Sequence, residues 1–295
     1  MTTLPRLTFL GHSTVLIEMG GRRILTDPVL FDRVIVLRRV GRRLDKHLVT
    51  GIDAVLISHL HLDHLHLPSI RMLGDDVLLV VPAGSADWFR ARGFGSVVEL
   101  APAARVMIGP VAVTATPALH SGFHPPFGPR AMAIGFILEL DATRVYFAGD
   151  TDMFAAMADF GGEGLDVALL PVWGWGPRLG PGHMNPRRAA RALGLLRPRY
   201  AVPIHWGTLW PFGLGRVVPH RLSQPPLEFA RFARRYAPGT QVLMVPPGNP
   251  VAFDPGEPGA PLPARFRQPP GLRARARRAL RRRSSPSGPP AAGSP

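Results

Sequence analysis

Cysteine is absent from this chain of 295 residues, so no disulfide can form and no thiolate can bind a metal or attack a substrate. A catalytic metal would have to be held by histidine, aspartate or glutamate. The chain also lacks any apolar run close to the ~18 residues of a membrane span, and residues 1–10 lack the pattern of a signal peptide. We therefore expect a soluble, cytoplasmic protein without a transmembrane segment.

Lysine is nearly absent as well, since Lys46 stands alone beside 34 arginines in a chain of net charge +15. Nine of the arginines lie between Arg265 and Arg283, and no acidic residue follows Glu257. The rest of the chain is only mildly basic, so its charge does not predict nucleic acid as a partner. The small share of lysine, beside abundant alanine, glycine and proline, is typical of GC-rich coding.

A change of pattern near residue 248 divides the chain into two parts. Residues 1–248 alternate short apolar runs with turn signals, which is typical of a globular domain. The fifty residues from Pro246 onward contain 13 prolines, and we predict that residues 249–295 form a mostly disordered tail rich in proline and arginine. A short basic helix is possible at 272–283, where its thin apolar face predicts at most a weak peripheral contact with an anionic membrane.

Short strands outnumber helices along residues 1–248. The pairs Gly20-Gly21 and Asp141-Ala142 predict hairpin turns, and Asn185 with Pro186 predicts the start of a helix that ends at Leu196. We predict an α/β (α+β) fold in which two sheets pack face to face under a cover of helices. The predicted strands are 7–10, 14–19, 22–26, 53–58, 77–81, 97–100, 105–108, 111–115, 134–140, 144–148, 167–171, 201–204 and 242–245, and the other predicted helices are 84–92, 153–160 and 227–236.

The strongest functional signal is the run Ser58-His59-Leu60-His61-Leu62-Asp63-His64, which follows directly on the apolar strand 54–57. A strand that delivers polar side chains to the loop at its end is a common way to build a site. If the loop starts extended, His59 and His61 point the same way and can bind one ion. Asp63 and His64 lie beyond the turn and can face a second ion. The alternative is a histidine-rich surface loop without metal.

Three isolated polar residues each end another predicted apolar strand. They are His120, Asp150 and His205. Any one of them alone would more often be structural, but their joint occurrence predicts that they converge with the histidine run at one rim of the sandwich.

These motifs, in this order, resemble those of the metallo-β-lactamase superfamily, which are His-x-His-x-Asp-His followed by a lone histidine, a lone aspartate and a lone histidine. Within it the chain is similar to the branch that contains the N-acylphosphatidylethanolamine phospholipase D and ascorbate-6-phosphate lactonase enzymes. The resemblance covers about residues 6–247 and is specific for fold and metal site, but less so for substrate. The supporting segments are Phe9-Leu10-Gly11-His12-Ser13-Thr14-Val15-Leu16-Ile17, Leu25-Thr26-Asp27-Pro28, Phe147-Ala148-Gly149-Asp150-Thr151, His183-Met184-Asn185-Pro186 and Pro203-Ile204-His205-Trp206-Gly207-Thr208.

The resemblance implies a four-layer αββα sandwich with a dinuclear site at one edge of the sheets. Zinc is the expected metal, and manganese or iron are alternatives because they accept the same nitrogen and oxygen ligands. By motif matching, one divalent ion would be bound by His59, His61 and His120, the other by Asp63, His64 and His205, and Asp150 would bridge the two.

The implied activity is that of a metal-dependent hydrolase acting on a small molecule or a lipid. The ions would lower the pKa of a bridging water, and the hydroxide would attack a phosphodiester or the carbonyl of a lactone or ester. Asp63 would also orient this nucleophile, and His183 would bind phosphate or act as a general acid. The alternatives are a non-catalytic metal-binding module, and a binder of nucleic acid or anionic membranes through the arginine-rich tail.

Other histidines and acids near the motifs are expected to have supporting roles. We predict that His12 and Asp27 brace the ligands without binding metal. His66 and His124 are predicted not to be ligands. Leu65 and His66 replace the glycine-rich turn of glyoxalase II and β-lactamase relatives, which argues against those two activities.

Aromatic and basic residues near the motifs bear on the substrate. Trp173, Trp175 and Trp206 either line an apolar pocket or pack under the site loops, and the stretch 174–182 is interpreted as a flexible rim loop. Phe123 stands where related phospholipase-like sequences carry an arginine, and Arg130 is the candidate replacement. This departure weakens the prediction of phosphate recognition.

Overall fold

Two seven-stranded sheets form the centre of the fold, as the pattern of short strands predicted. The computed structural model describes residues 4–40, 43–123, 128–212 and 219–253. In each sheet an antiparallel meander comes first along the chain, and parallel strands follow it. Helices cover the sheets, which confirms the predicted four-layer αββα architecture.

The first sheet is built from the N-terminal half of the chain and one strand from its C-terminal part. Its spatial order is β17 (Asn249–Pro250), β1 (Arg6–Gly11), β2 (Thr14–Met19), β3 (Arg22–Thr26), β6 (Ala54–Leu56), β7 (Leu78–Pro82) and β8 (Val97–Leu100). β1, β2 and β3 are antiparallel, whereas β3, β6, β7 and β8 are parallel. Gly20 and Gly21 turn β2 into β3 with φ angles of 57° and 71°, which suit the predicted hairpin turn.

The second sheet repeats this arrangement. Its spatial order is β16 (Gln241–Val242), β14 (Tyr200–Ile204), β13 (Val167–Pro171), β12 (Thr143–Phe147), β11 (Ile134–Leu140), β10 (Val111–Pro117) and β9 (Arg105–Ile108). β9 to β12 form the antiparallel meander, and β12, β13, β14 and β16 are parallel. The two halves of the chain therefore share one construction.

In the described part of the chain, five α-helices cover the sheets. They are α1 (Leu67–Arg71), α2 (Ala86–Arg90), α3 (Met157–Gly162), α4 (Pro186–Leu196) and α5 (Gln224–Tyr236), with short 3-10 turns at Lys46–Val49 and Pro219–Leu222. The bounds of α4 match the prediction, whereas α3 starts four residues later than the predicted helix 153–160. A β-bridge between Asp152 and Leu119 holds the chain extended just before that segment. Among the described residues, no helix is long and apolar enough to cross a membrane.

Alternate residues of the first sheet face two different apolar cores, because side chains alternate across a strand. Leu10 belongs to the outer core, where it clusters with Ile70 of α1 and Phe89 of α2. Its neighbour Phe9 points to the second sheet, where its ring lies 6.1 Å from that of Trp206. Both faces of the sheet are thus buried, which explains why its strands are continuous apolar runs.

A small third sheet, which the sequence did not predict, lies beside the two large ones. It consists of β15 (Leu209–Pro211), β5 (Leu37–Arg39) and β4 (Arg33–Val34), in that spatial order. The buried Arg39 fastens it to the first sheet, since its guanidinium donates to the carbonyls of Leu10 (3.0 Å) and Val29 (2.6 Å). The hairpin β4–β5 is thereby held at the edge where the site residues lie.

The folded part of the chain extends past the predicted boundary at residue 248. Asn249 pairs with Phe9 of β1, and the Tyr200 hydroxyl donates to the carbonyl of Phe253 at 3.1 Å. Residues 249–253, which the sequence assigned to the tail 249–295, therefore belong to the fold because they cover the free edge of β1. The rest of that tail, 254–295, and the basic helix predicted at 272–283 lie outside the described residues.

The N-cap hydrogen bond of α4 provides a test of how much one helix cap contributes to the stability of the protein. The side chain of Asn185 accepts a hydrogen bond from the backbone N–H of Arg188 at 2.9 Å, whereas Ser223 before α5 makes no such bond. We expect Asn185→Ala to lower the free energy of unfolding by about 1 kcal/mol, because one helix N–H loses its partner. Ser223→Ala is the matched control and should change it by much less. Equal effects in urea unfolding would contradict this account.

Candidate metal centre

All the predicted ligands follow strands that end at one rim of the sandwich. β1 and β3 run in the same direction because both are antiparallel to β2, and β6 is parallel to β3. In the second sheet β10 and β12 run in the same direction because both are antiparallel to β11, and β13 and β14 are parallel to β12. Polar side chains at the carboxyl ends of aligned strands meet at one edge, as in other sheet proteins. These residues are His12, Asp27, the run 58–64, His120, Asp150 and His205.

The first group of candidate ligands consists of three histidines whose ring nitrogens lie close together. His61 Nδ1 is 3.0 Å from His59 Nε2 and 3.0 Å from His120 Nε2. Burial lowers the pKa of all three, to about 4 for His120 and well below the usual value for His59. They are therefore neutral, which is the form of imidazole that binds metals.

The second group lies next to the first and contains both charged and neutral side chains. His64 Nε2 is 3.1 Å from His205 Nε2, and both nitrogens lie close to Asp150 Oδ2, at 3.1 Å and 3.2 Å. Asp63 Oδ2 is 3.7 Å from His64 Nε2 and 3.8 Å from His205 Nε2. These four side chains surround one small volume.

The opposite ring nitrogens of these histidines are already engaged. His64 Nδ1 donates to Asp27 Oδ2 (2.8 Å), and His205 Nδ1 donates to the carbonyl of Trp173 (2.9 Å). His120 Nδ1 likewise donates to the carbonyl of Gly182 at 2.9 Å. Each of these rings in its neutral form thus turns an unprotonated Nε2 toward its neighbours. Lone pairs that face each other at about 3 Å repel unless a cation lies between them, so the donor set fits bound metal.

Asp150 is the residue that connects the two groups. Its Oδ2 contacts His64 and His205, and it also belongs to a cluster of potential ligands with His120 and His183. Its Oδ1 is buried and has no hydrogen-bond partner among the described residues. A buried carboxylate oxygen without a partner is costly, and a metal ion would satisfy it. Burial alone would raise the pKa of Asp150, but the charges of His205 and His64 hold it well below the usual range.

Asp63 is held by His12, which the sequence predicted as a bracing residue. His12 Nε2 lies 2.9 Å from Asp63 Oδ2, and burial together with neighbouring His205 lowers the pKa of His12 to about 3. A neutral His12 therefore donates to the carboxylate. Burial would raise the pKa of Asp63, but His64 and the hydrogen bond from His12 keep it well below the usual value. Asp63 is thus an anion that faces the second group.

Asp27 and Ser58 brace the histidines from beneath. Asp27 accepts from His64, from the Ser58 backbone N–H (2.7 Å) and from the Ser58 hydroxyl (2.6 Å). The Ser58 hydroxyl oxygen in turn lies 3.0 Å from His59 Nδ1. One carboxylate therefore orients a histidine of each group, which agrees with the bracing role predicted for Asp27.

His183 lies at the mouth of the site rather than within either group. Its Nε2 is 3.3 Å from Asp150 Oδ2, and its Nδ1 is directed at the carbonyls of Gly180 and Pro181. Burial would lower the pKa of His183, but Asp150 and these carbonyls raise it. The ring also stands edge-on to His120, with centroids 4.6 Å apart.

A cavity of about 430 Å³ opens directly above these residues. Its floor includes His61, Asp63, Asp150 and His205, and His183 also lines it. Its walls are mainly apolar and come from two segments, the β4–β5 hairpin at Val34–Leu37 and the rim loop 174–182. A molecule in this cavity would therefore meet the candidate metal ligands on one side and apolar side chains on the other.

The three tryptophans near the motifs lie in different environments. Trp175 lines the cavity and is 42% exposed, whereas Trp173 is only 7% exposed and donates to the Gly176 carbonyl. Trp206 is buried against Phe9 of the sandwich core. Of the three, Trp175 alone lines the pocket.

Arg130 does not replace the expected arginine. Its guanidinium lies 5.2 Å above the ring of Phe123, and it is not among the cavity-lining residues. His66 Nδ1 lies 2.7 Å from the Ser69 hydroxyl, and His66 belongs to neither donor group. His124 lies outside the described residues.

The sequence missed the residues that shape the cavity. The apolar hairpin tip Ile35-Val36 was not recognised, although arginines at 33 and 38 flanking a short apolar run are a signal of a hairpin. Arg178 and Leu179 of the rim loop were also missed, because no spacing pattern marks a loop residue that lines a pocket.

Comparison with known proteins agrees with this geometry. Residues 22–206 match the family described as a beta-lactamase superfamily domain. A UPF0173 metal-dependent hydrolase of Opitutus terrae is 33% identical over 255 residues, which cover 83% of this chain and 99% of that protein. The chain belongs to the UPF0173 metal-dependent hydrolases of the metallo-β-lactamase superfamily. It is a hydrolase, as the sequence predicted.

Two further similarities support this family. A UPF0173 metal-dependent hydrolase of Thermus thermophilus is 35% identical over 209 residues, covering 70% of this chain and 86% of that protein. Among solved structures, the metallo hydrolase Igni18 of Ignicoccus hospitalis superposes with a TM-score of 0.67 at 25% identity, covering 85% of this chain and 99% of that one.

The contribution of the Asp27 carboxylate to metal binding can be tested by removing its charge. Asp27→Asn takes away an acceptor shared by His64 and Ser58, so we expect zinc affinity to fall roughly 10- to 100-fold. Asp53→Asn is the control, because Asp53 binds Arg22 and the Arg23 N–H and no site residue. Competition with a chromophoric chelator measures both affinities. An unchanged affinity in Asp27→Asn would show that the brace does not tune the metal site.

Proposed function

We propose that this hydrolase binds two divalent ions, with zinc preferred over manganese or iron, and cleaves a phosphodiester or a lactone or ester bond. The observation that carries the proposal is the pair of neighbouring donor groups that share Asp150. His59, His61 and His120 would hold one ion. Asp63, His64 and His205 would hold the other, and Asp150 would contact both. When bound, the ions would lower the pKa of a coordinated water and so supply hydroxide at neutral pH.

Asp63 and His183 have separate roles in this proposal. Asp63 is an anion fixed by His12 at 2.9 Å, and it lies at the floor of the cavity, where it can orient the attacking water. His183 lies at the mouth, with Nδ1 directed at backbone carbonyls and Nε2 near Asp150. Its Nε2 would protonate or bind the departing group.

The apolar walls support a substrate that carries an aliphatic or aromatic group. The hairpin and the rim loop would cover that group while the scissile bond lies over the floor. This agrees with a small molecule or a lipid as substrate, and with a place near the phospholipase D-like branch. Because Phe123 and Arg130 pack on each other, recognition of a phosphate group would have to use other residues.

Metal content tests the dinuclear proposal. We expect about two zinc ions per chain in the zinc-loaded protein, because there are two complete donor groups. His120→Ala and His205→Ala should each lose about one ion. His66→Ala, which changes a histidine outside both groups, should lose none. Elemental analysis after gel filtration gives the ratios, and a single ion per chain in the unchanged protein would refute a dinuclear site.

Turnover tests the reaction. We expect the zinc-loaded protein to hydrolyse at least one member of a panel of phosphodiesters, phospholipids, lactones and esters. A chelator should abolish the rate, and added zinc should restore it. Asp150→Ala should lower kcat at least 100-fold, because it removes the shared carboxylate. Absence of turnover on every substrate would favour a non-catalytic metal-binding module, and turnover that survives in metal-free Asp150→Ala would contradict the mechanism.

A further inference from the structure

The cavity above the metal centre has two apolar walls of different construction. The hairpin wall presents Ile35 and Val36, which are 69% and 64% exposed although both line the cavity. The opposite wall is the rim loop, which contributes Trp175 and Leu179. Exposed apolar side chains grouped around a pocket are typical of a ligand-binding surface.

The rim loop is fixed at both ends by the site itself. At one end the Trp173 carbonyl accepts from His205, and at the other the Gly182 carbonyl accepts from His120. In between, the Trp173 indole donates to the carbonyl of Gly176. The side chains that this loop presents to the cavity are therefore held in a defined position relative to the ligands.

Arg178 lies in the middle of the rim loop and lines the cavity. Among the described residues it forms neither an ion pair nor a hydrogen bond through its guanidinium, and it is the only arginine or lysine in the cavity lining. The two acids of the lining, Asp63 and Asp150, are already paired with site histidines. A free guanidinium beside apolar walls has the chemistry to hold an anionic group.

We infer that the cavity selects apolar molecules that carry a negatively charged group, and that Arg178 holds this group while the hairpin and Trp175 cover the apolar part. The ligand is thus an amphipathic anion, with either a carboxylate or a phosphodiester as its charged group. That such a molecule is a substrate rests on the proposed function, but its binding does not. Arg178 is a specificity-determining residue of this site.

Binding of matched probes tests the inference independently of turnover. Calorimetry would compare 4-phenylbutyrate with 4-phenylbutanamide, which share the apolar part and differ in charge, and would add diphenyl phosphate as the phosphodiester probe. Each titration uses the full chain, both zinc-loaded and after chelator treatment, so that attraction to the metal is separated from attraction to Arg178.

Variants distinguish the contribution of the Arg178 charge to probe affinity from that of the apolar walls. We expect the unchanged protein to bind phenylbutyrate at least tenfold more tightly than the amide. Arg178→Gln should reduce this preference to below twofold, and Arg178→Lys should retain part of it. Arg105→Gln, which changes an exposed arginine of β9, is the matched control and should keep it. Trp175→Ala should weaken both probes by a similar factor, because it removes apolar contact only.

The two anionic probes distinguish the source of the charge. Stronger dependence of diphenyl phosphate on Arg178 would identify a phosphodiester site, and stronger dependence of phenylbutyrate would identify a carboxylate site. The inference is overturned if the amide binds as well as the acid, if no probe binds, or if Arg178→Gln keeps the full preference. If the preference is present but no ester or phosphodiester is hydrolysed, the proposed function fails and the binding inference stands.

Discussion

The structure depends on a group of imidazole nitrogens that face one another inside the protein at about 3 Å. The outer nitrogens of His64, His205 and His120 are engaged by Asp27, by the Trp173 carbonyl and by the Gly182 carbonyl, so in the neutral rings the inner nitrogens present lone pairs. Burial disfavours protonating most of them, yet Asp150 and Asp63 outweigh burial and raise the pKa of His64 well above its usual value. The site therefore favours positive charge between these nitrogens, which a bound divalent metal would supply.

The backbone is strained at three of the positions that bring these groups together. His12, Asp27 and His205 all have positive φ angles, of 56°, 34° and 61°, and this conformation costs a non-glycine residue on the order of 1–3 kcal/mol. Each lies directly after a strand that ends at the shared rim, where the chain must turn sharply. The backbone N–H of His205 also donates to the carbonyl of His12 at 2.7 Å, which ties the two sheets together at the site.

The sequence predicted that the candidate ligands converge, because each is carried by a short motif at the end of an apolar strand and these strands end at one rim. It also predicted α4, since Asn185 and Pro186 act locally. It did not predict the β4–β5 hairpin, because strands of two and three residues show no alternation and their partner β15 comes from a distant part of the chain. Arg178 was missed for a related reason, since its importance arises only from the loop's position over the cavity.

The most direct test of the account is anomalous diffraction from crystals of the zinc-loaded protein, recorded on both sides of the zinc absorption edge. The account predicts two peaks roughly 3.5–4 Å apart. One should be bound by nitrogens of His59, His61 and His120, the other by His64, His205 and Asp63, with Asp150 reaching both. A single peak, or zinc bound only outside this rim, would contradict the claim that facing nitrogens exist to surround two cations.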